Sequence, residues 1–190
     1  MDDIASLHRS SLEATRRTVL GIESGQLGQA TPCEGWDVRA LLNHVVSGNL
    51  WAAELVRGRT IEDVGDALDG DVLGSSPLDA YDRSAAEAAA AFEAPGSLAA
   101  PCAVSYGPVP GEVYAGHRFL DVLVHGWDLA VATGQDTSLD PTLVDACLDV
   151  IGPQRDMLRA SGMFGEERVV PTGASPVDQL LVTLGRQPRR

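Results

Sequence analysis

The stretch that decides the fold of this chain is Gly116-His-Arg-Phe-Leu-Asp-Val-Leu-Val-His-Gly-Trp-Asp-Leu-Ala130. Most of its positions are apolar, which is typical of a helix packed on several sides. Its polar positions recur at steps of three and four residues, so they share one helical face. The polar residues of this face are Tyr114, His117, Arg118, Asp121, His125 and Asp128. The pattern predicts a largely buried helix from about Gly111 to Thr133, closed by Gly134, with one polar face.

This polar face has two interpretations. The first is an amphipathic helix whose polar stripe faces water, although such stripes are usually built from Glu, Lys, Arg and Gln, which stabilise helices better than Asp and His do. The second is a metal site. Asp121 and His125 are four residues apart, so a carboxylate oxygen and an imidazole nitrogen lie side by side on the helix. The helix alone does not decide between the two.

Three more helices are predicted before this one. Residues 3–23 carry apolar residues at helical spacing. Asp37 can cap a second helix that runs to about Arg57. Ser76-Pro77 suits the beginning of a third, alanine-rich helix over residues 78–94. Long connections rich in Gly, Pro or acidic residues separate these helices, over residues 25–35, 58–76 and 95–111, the last with short extended pieces.

The remainder of the chain predicts shorter elements. Asp140-Pro141 begins a helix that is expected to reach Ala160, with a kink or a break at Pro153. The tail from Phe164 to Pro176 is expected to be extended, and strand-like around Val169 to Pro171. A last short helix from Val177 to Leu184 would pack on the body of the protein.

Length and composition suit one globular domain over residues 1–190. With the helical pattern, they predict an all-α fold: a four-helix bundle with long connections and a short C-terminal extension. The net charge of -13 argues against nucleic acid and anionic membrane surfaces as partners. The first residues have no basic region and no apolar core of signal-peptide length, and no apolar run approaches the length of a membrane span, so we expect neither a signal peptide nor a membrane-spanning helix. The three widely spaced cysteines predict free thiols in a reducing compartment, so we expect a cytoplasmic protein.

His44 extends the candidate site to a second helix. It lies in mid-helix on a face shared with Leu41, Gly48 and Trp51, where a histidine is usually a hydrogen-bonded core residue. The alternative is a ligand, with Gly48 leaving room beside the ring. His44, Asp121 and His125 would then supply three protein ligands and leave one position open, which is typical of a catalytic rather than a structural zinc site. The same ligands suit Ni²⁺, Mn²⁺ or Fe²⁺.

Other polar residues receive supporting roles. His117, one helical turn before the carboxylate ligand, is a candidate fourth ligand, general base or ligand-orienting group, and Asp128 a candidate for tuning protonation or orienting a ligand. Arg118 and Arg83 are candidates for binding a substrate carboxylate, although solvated positions on the surface explain them more simply. His8 lies among polar residues and is expected to face water.

The segments Thr31–His44 and Asp121–Ala130 resemble the two signature segments of the DinB-like superfamily. They are most similar to the branch related to the metal-binding domain of mycothiol-dependent maleylpyruvate isomerase, as is the ending from Pro171 to Leu184. The resemblance covers nearly the whole chain and implies a four-helix bundle whose metal ligands fall on His44, Asp121 and His125. The isomerase has a further C-terminal domain that contributes to catalysis, and this chain ends too soon to hold one. Isomerase activity itself is therefore not expected.

The resemblance also implies zinc and a low-molecular-weight thiol, mycothiol or bacillithiol, as co-substrate. A thiol bound to zinc loses its proton near neutral pH, and its thiolate can attack an electrophilic carbon. We therefore expect a zinc-dependent thiol S-transferase whose partners are that thiol and a small-molecule substrate. One alternative is a metal-dependent hydrolase, although no Glu neighbours the triad as a general base. Another is a non-catalytic metal- or ligand-binding accessory protein. The oligomeric state stays open, a homodimer included.

Overall fold

The computed structural model describes residues 3–154 and 170–187. The chain forms two compact units, residues 1–137 and residues 138–190. The described residues are mostly helical, with one small sheet of two strands. The predicted all-α class is therefore confirmed, whereas the single domain over residues 1–190 stays a prediction. Within the described residues no helix combines the length and the apolar character that a membrane span requires.

The first unit contains the four long helices that the sequence predicts. In chain order its elements are α1 (Ile4–Leu20), α2 (Val38–Val56), the single-turn helix α3 (Ile61–Val64), α4 (Pro77–Glu93), strands β1 (Pro101–Val104) and β2 (Gly107–Pro110), and α5 (Gly111–Thr133). Local signals set these bounds. Asp37 accepts a hydrogen bond of 2.8 Å from the Ala40 amide and caps α2, and Gly134 ends α5 in the left-handed conformation at φ 70°.

Packing of α1 and α2 against both α4 and α5 forms the core of this unit. Its central side chains include Leu41, Val45, Tyr81, Val122 and Leu129, all at most 1% exposed. The antiparallel hairpin of β1 and β2 fills the connection before α5, where the sequence predicts short extended pieces. The bundle therefore holds α2 and α5, the two helices with candidate ligands, in direct contact.

His8 is buried, so the expectation that it faces water is wrong. Its side chain has no exposed surface, because it shares the inner face of α1 with the buried residues Leu12, Thr15 and Val19. The ring meets that of Phe92 edge-on, with centroids 5.0 Å apart. Neither of its nitrogens has a hydrogen-bond partner among the described residues. Burial, followed by the positive charges of Arg118 and Arg9, lowers the pKa of His8 to about 3.

The second unit contains α6 (Pro141–Ile151), a 3-10 turn over Gly152–Gln154, and α7 (Pro176–Thr183), which packs on α6. The predicted break at Pro153 is confirmed, because α6 ends at Ile151 and the 3-10 turn follows. Pro153 explains this end, because it lacks the amide hydrogen that an α-helix needs and lies in the 3-10 turn. Residues 155–160, like 164–169 of the expected tail, lie outside the described residues. The strand expected at Val170 and Pro171 is wrong, because a turn closed by the bond from the Ala174 amide to the Pro171 carbonyl (3.1 Å) follows at once.

The burial of His8 predicts an acid-sensitive stability. An unfolded histidine binds a proton below about pH 6.5, whereas folded His8 stays neutral until about pH 3. Its folded pKa is depressed, so stability is fully present above about pH 6.5 and is lost as the pH falls. His8→Leu removes this loss. Between about pH 5.5 and about pH 4.5 the stability of the variant relative to the wild type should rise by about 1.4 kcal/mol for each unit by which the pH falls. Urea unfolding of both proteins measures this difference. Two parallel stability curves would contradict the assignment.

Candidate metal centre

Two histidine side chains, one on α2 and one on α5, converge on one carboxylate oxygen of Asp121. Nε2 of His44, on α2, lies 3.5 Å from Oδ1 of Asp121, and Nε2 of His125 lies 3.4 Å from the same atom. The two imidazole rings meet edge-on with centroids 5.0 Å apart. The ligand atoms of these three residues all lie within 4.8 Å of one another. The structure thus brings together the triad that the sequence predicts, because the four-residue spacing on α5 places Asp121 and His125 on the face turned to α2.

The spacing and chemistry of this triad fit a divalent ion. Donor atoms of a tetrahedral zinc site lie roughly 3.3 Å apart, since Zn–N and Zn–O bonds are about 2.0–2.2 Å long. Two imidazole nitrogens and one carboxylate oxygen also suit nickel, manganese or iron(II). The side chain of His44 is 38% exposed, whereas that of His125 is 8% exposed, so the site opens beside His44. The ring of Trp36 lies beside this opening, with its centroid 4.8 Å from that of the His44 ring.

Arg118 holds the other carboxylate oxygen of Asp121. Its Nη1 donates to Asp121 Oδ2 at 2.8 Å, and its Nη2 donates to Asn49 Oδ1 at 3.1 Å and to the Val45 carbonyl at 3.4 Å. Arg118 is only 7% exposed, so the expectation of a solvated side chain is wrong for this residue, while Arg83 is exposed. Because Oδ2 is occupied by the guanidinium, Oδ1 is the oxygen left facing the two imidazoles.

Gly48 makes the buried position of Arg118 possible. A Cβ atom added at Gly48 would lie 2.7 Å from Cζ of Arg118, which is closer than packed atoms approach one another. The space beside Gly48 is therefore occupied by the guanidinium, which corrects the expectation that Gly48 leaves room beside the His44 ring. Sequence reasoning missed this because it compared positions within α2 and not across to α5.

Asp128 and Cys33 lie on the other side of the His125 ring. Oδ2 of Asp128, which has no exposed surface, lies 3.0 Å from Nδ1 of His125. A metal-binding histidine commonly donates its second N–H to a carboxylate, which fixes the tautomer and the ring orientation. Sγ of Cys33 lies 3.3 Å from the same Asp128 oxygen and 3.7 Å from Nδ1 of His125. Asp128 thus lies where it can orient His125, and Cys33, which sequence reasoning treated as an ordinary thiol, joins the network.

His117 lies in a different environment. Its Nδ1 is 2.6 Å from the hydroxyl of Tyr106, in the turn between β1 and β2. A tyrosine hydroxyl is protonated at neutral pH, so that of Tyr106 can donate a hydrogen bond to the imidazole. Neither of the two metal-type clusters among the described residues includes His117. The geometry therefore favours a role beside the triad, in holding a proton or a substrate group, over that of a fourth ligand.

The charges of the triad favour a bound cation. Burial alone would raise the pKa of Asp121, but the positive charges of Arg118 and His125 outweigh it and hold that pKa well below its usual value. Burial alone would lower the pKa of His125, but the Asp121 carboxylate outweighs it and raises that pKa. In the metal-free protein the imidazolium proton of His125 therefore balances the carboxylate, and an arriving metal ion would replace that proton.

The fold and the site together define a class of protein: a helical bundle that carries a histidine–carboxylate–histidine cluster on two of its helices. The family described as "Mycothiol maleylpyruvate isomerase N-terminal domain" matches residues 8–130. This match includes α2, α5 and all three residues of the triad. The chain belongs to this family, as the two signature segments indicated.

Two curated relatives and two solved structures are also similar to this chain. Rv0738 and MT0763, uncharacterized proteins of two Mycobacterium tuberculosis strains, are each 36% identical to this chain over 191 residues, covering 96% of the chain and 97% of each relative. The crystal structure of the mycothiol-dependent maleylpyruvate isomerase has a similar fold, with a TM-score of 0.62 at 16% identity, covering 85% of this chain and 75% of that one. A mutant of that enzyme gives a TM-score of 0.64 at 14% identity, with the same coverage.

The ion pair between Arg118 and Asp121 predicts a coupled stability effect. Arg118→Met should lower the free energy of unfolding by about 3 kcal/mol, because it leaves the Asp121 carboxylate, whose side chain is only 17% exposed, without its cation. Adding Asp121→Asn should recover part of this loss, since the uncompensated charge is then gone. The exposed Arg83→Met is the matched control and should change stability by less than about 0.5 kcal/mol. Denaturant unfolding in the presence of a chelator measures five proteins: the wild type, Arg118→Met, Asp121→Asn, their combination and the control. Strictly additive losses for the two substitutions would contradict the pairing.

Proposed function

We propose that this protein is a divalent-metal-dependent thiol S-transferase, with zinc as the preferred ion and a low-molecular-weight thiol such as mycothiol as co-substrate. The observation that carries the proposal is the convergence of two imidazole nitrogens on one oxygen of Asp121, at 3.4 and 3.5 Å. The chain belongs to a family whose description names mycothiol, and this membership supports mycothiol as the co-substrate. No nucleic acid or membrane partner is proposed, and we place the protein in the cytoplasm as a single domain.

We assign separate roles to the residues of this site. His44, Asp121 and His125 would hold the ion, while Arg118 fixes the carboxylate and Asp128 fixes the His125 ring. When bound, the metal would supply the positive charge that lowers the pKa of a thiol beside it. Three protein ligands leave a position for that thiol. The half-exposed side of His44 supplies the approach for both substrates.

The proposed reaction joins the thiol sulfur to an electrophilic carbon. A carbon–sulfur bond forms, the bond from that carbon to its leaving group breaks, and the leaving group departs with the electron pair. The thiol proton passes to a base or to solvent. His117, held by Tyr106 at 2.6 Å and one helical turn from Asp121, is the candidate for accepting or returning a proton. Trp36, against the His44 ring, is the candidate wall for an apolar electrophile.

The metal site predicts a graded loss of zinc across four variants. The triad should retain one tightly bound zinc per chain, which His44→Ala and His125→Ala should lose. All proteins of this series carry Cys33→Ser, so that zinc held by the thiol beside His125 is not counted. Asp128→Asn should bind zinc about 10–100-fold more weakly, because the orienting carboxylate is lost. His117→Gln is the matched histidine control and should bind zinc like the wild type. Elemental analysis and titration against a competing chelator measure this series. Absence of zinc from the wild type after loading would refute the proposed centre.

The transferase itself predicts metal-dependent consumption of a thiol and an electrophile together. Zinc-loaded protein, mycothiol and a chlorodinitrobenzene should yield the thioether, monitored by its absorbance. His125→Ala should abolish turnover. His117→Gln should lower kcat about 100-fold or more if it transfers a proton, with its zinc content unchanged. Hydrolysis of an ester or amide panel without thioether formation would indicate the hydrolase instead. A zinc-loaded wild type without either activity would indicate a binding protein.

A further inference from the structure

The two nitrogens of the His125 ring face two different sets of candidate ligands. Nε2 faces Asp121 and belongs to the triad with His44. Nδ1 faces Asp128 and Cys33, and the ligand atoms of these two residues and of His125 also lie within 4.8 Å of one another. The lone pairs of the two ring nitrogens diverge, so one ion cannot bind at both. The Nδ1 side is therefore a separate cluster, with a different chemistry because it includes a thiol.

The spacing of this second cluster matches that of metal ligands. The sulfur of Cys33 lies 3.7 Å from Nδ1 of His125 and 3.3 Å from Oδ2 of Asp128, and the latter two atoms are 3.0 Å apart. Donor atoms around a tetrahedral zinc ion that binds one sulfur, one nitrogen and one oxygen lie roughly 3.3–3.6 Å apart, from bonds of about 2.3 Å to sulfur and about 2.0–2.2 Å to nitrogen and oxygen. Shifts of a few tenths of an ångström would give that geometry.

Charge and access also suit a metal ion at this position. A cysteine thiolate and a carboxylate together neutralise one divalent cation, which would take the place of the His125 imidazolium as the positive charge beside the fully buried Asp128. Asp128 and His125 are buried, whereas Cys33, in the loop before α2, is only half-buried. An ion can therefore reach the cluster from the side of Cys33. Thiolate is a soft ligand that favours zinc and other thiophilic ions over magnesium, calcium or manganese.

We propose that Cys33 Sγ, His125 Nδ1 and Asp128 Oδ2 form a second metal site, selective for thiophilic divalent ions and distinct from the triad. Binding there releases two protons to solvent, one from the thiol and one from Nδ1, and oxidises nothing. The site goes beyond the proposed thiol transfer, since it requires neither substrate nor turnover. It makes His125 the residue through which ions at the two positions would influence each other.

Cobalt(II) tests this second site by its spectrum. The full chain is titrated with Co²⁺, because a thiolate bound to cobalt gives a sulfur-to-cobalt charge-transfer band in the near ultraviolet and imidazole or carboxylate ligands do not. The wild type should show this band. The double variant His44→Ala/Asp121→Asn should keep it, with one cobalt per chain, although the triad is destroyed. Cys33→Ser should lose the band while the triad still binds one cobalt.

The control and the contrary outcomes separate this site from the proposed function. Cys147→Ser replaces a buried cysteine of the second unit and should leave the band unchanged. Thermal unfolding shows whether each variant is folded. A wild type that binds cobalt without the band would overturn the second site, and Cys33 would then be only a hydrogen-bond donor to Asp128. The second site and the proposed function can also be separated. If the double variant shows the band but Cys33→Ser binds no cobalt, the second site is upheld and the proposed function fails. A band that survives Cys33→Ser, or no bound cobalt in any protein, would refute the second site.

Discussion

The carboxylate of Asp121 lies between a buried guanidinium and two imidazole rings, and the candidate centre depends on this arrangement. A buried carboxylate without a positive partner would take up a proton and lose its value as a ligand. Arg118 prevents this by binding Oδ2 at 2.8 Å, which also fixes Oδ1 toward His44 and His125. Arg118 in turn reaches its position only because Gly48, on the facing helix, has no side chain. The absence of one Cβ atom on α2 thus contributes to the charge state of a ligand on α5.

The ring of His125 connects this carboxylate to the loop before α2. On one side it meets Asp121, and on the other it meets Asp128, which in turn contacts Cys33. The same loop brings Trp36 to the exposed edge of the triad. Orientation of the ring, access to the site and the second cluster therefore all depend on how this loop lies against α5. A carboxylate behind a ligating histidine is a common means of tuning metal affinity, and here the carboxylate also lies beside a thiol.

Much of the fold could be predicted because its signals are local. The cap at Asp37 and the stop at Gly134 set helix bounds within a residue or two, and the spacing of Asp121 and His125 indicated a shared face. The pairing with His44 came from the resemblance and from the open-site chemistry. The predictions that were wrong concern residues whose burial depends on contacts between different helices of the bundle. His8 and Arg118 are polar residues that a single-helix pattern assigns to water, and only the facing helices show that both are buried. Cys33 lies in a loop, where no periodicity indicates what the chain contacts.

The most direct test of the central claim is a crystal structure of the zinc-loaded protein, with anomalous diffraction recorded at the zinc absorption edge. An anomalous peak should lie about 2.0–2.2 Å from Nε2 of His44, Oδ1 of Asp121 and Nε2 of His125, with Oδ2 of Asp121 still bound by Arg118. A zinc-loaded crystal without a peak among these three atoms would contradict the account, whatever ions it held elsewhere.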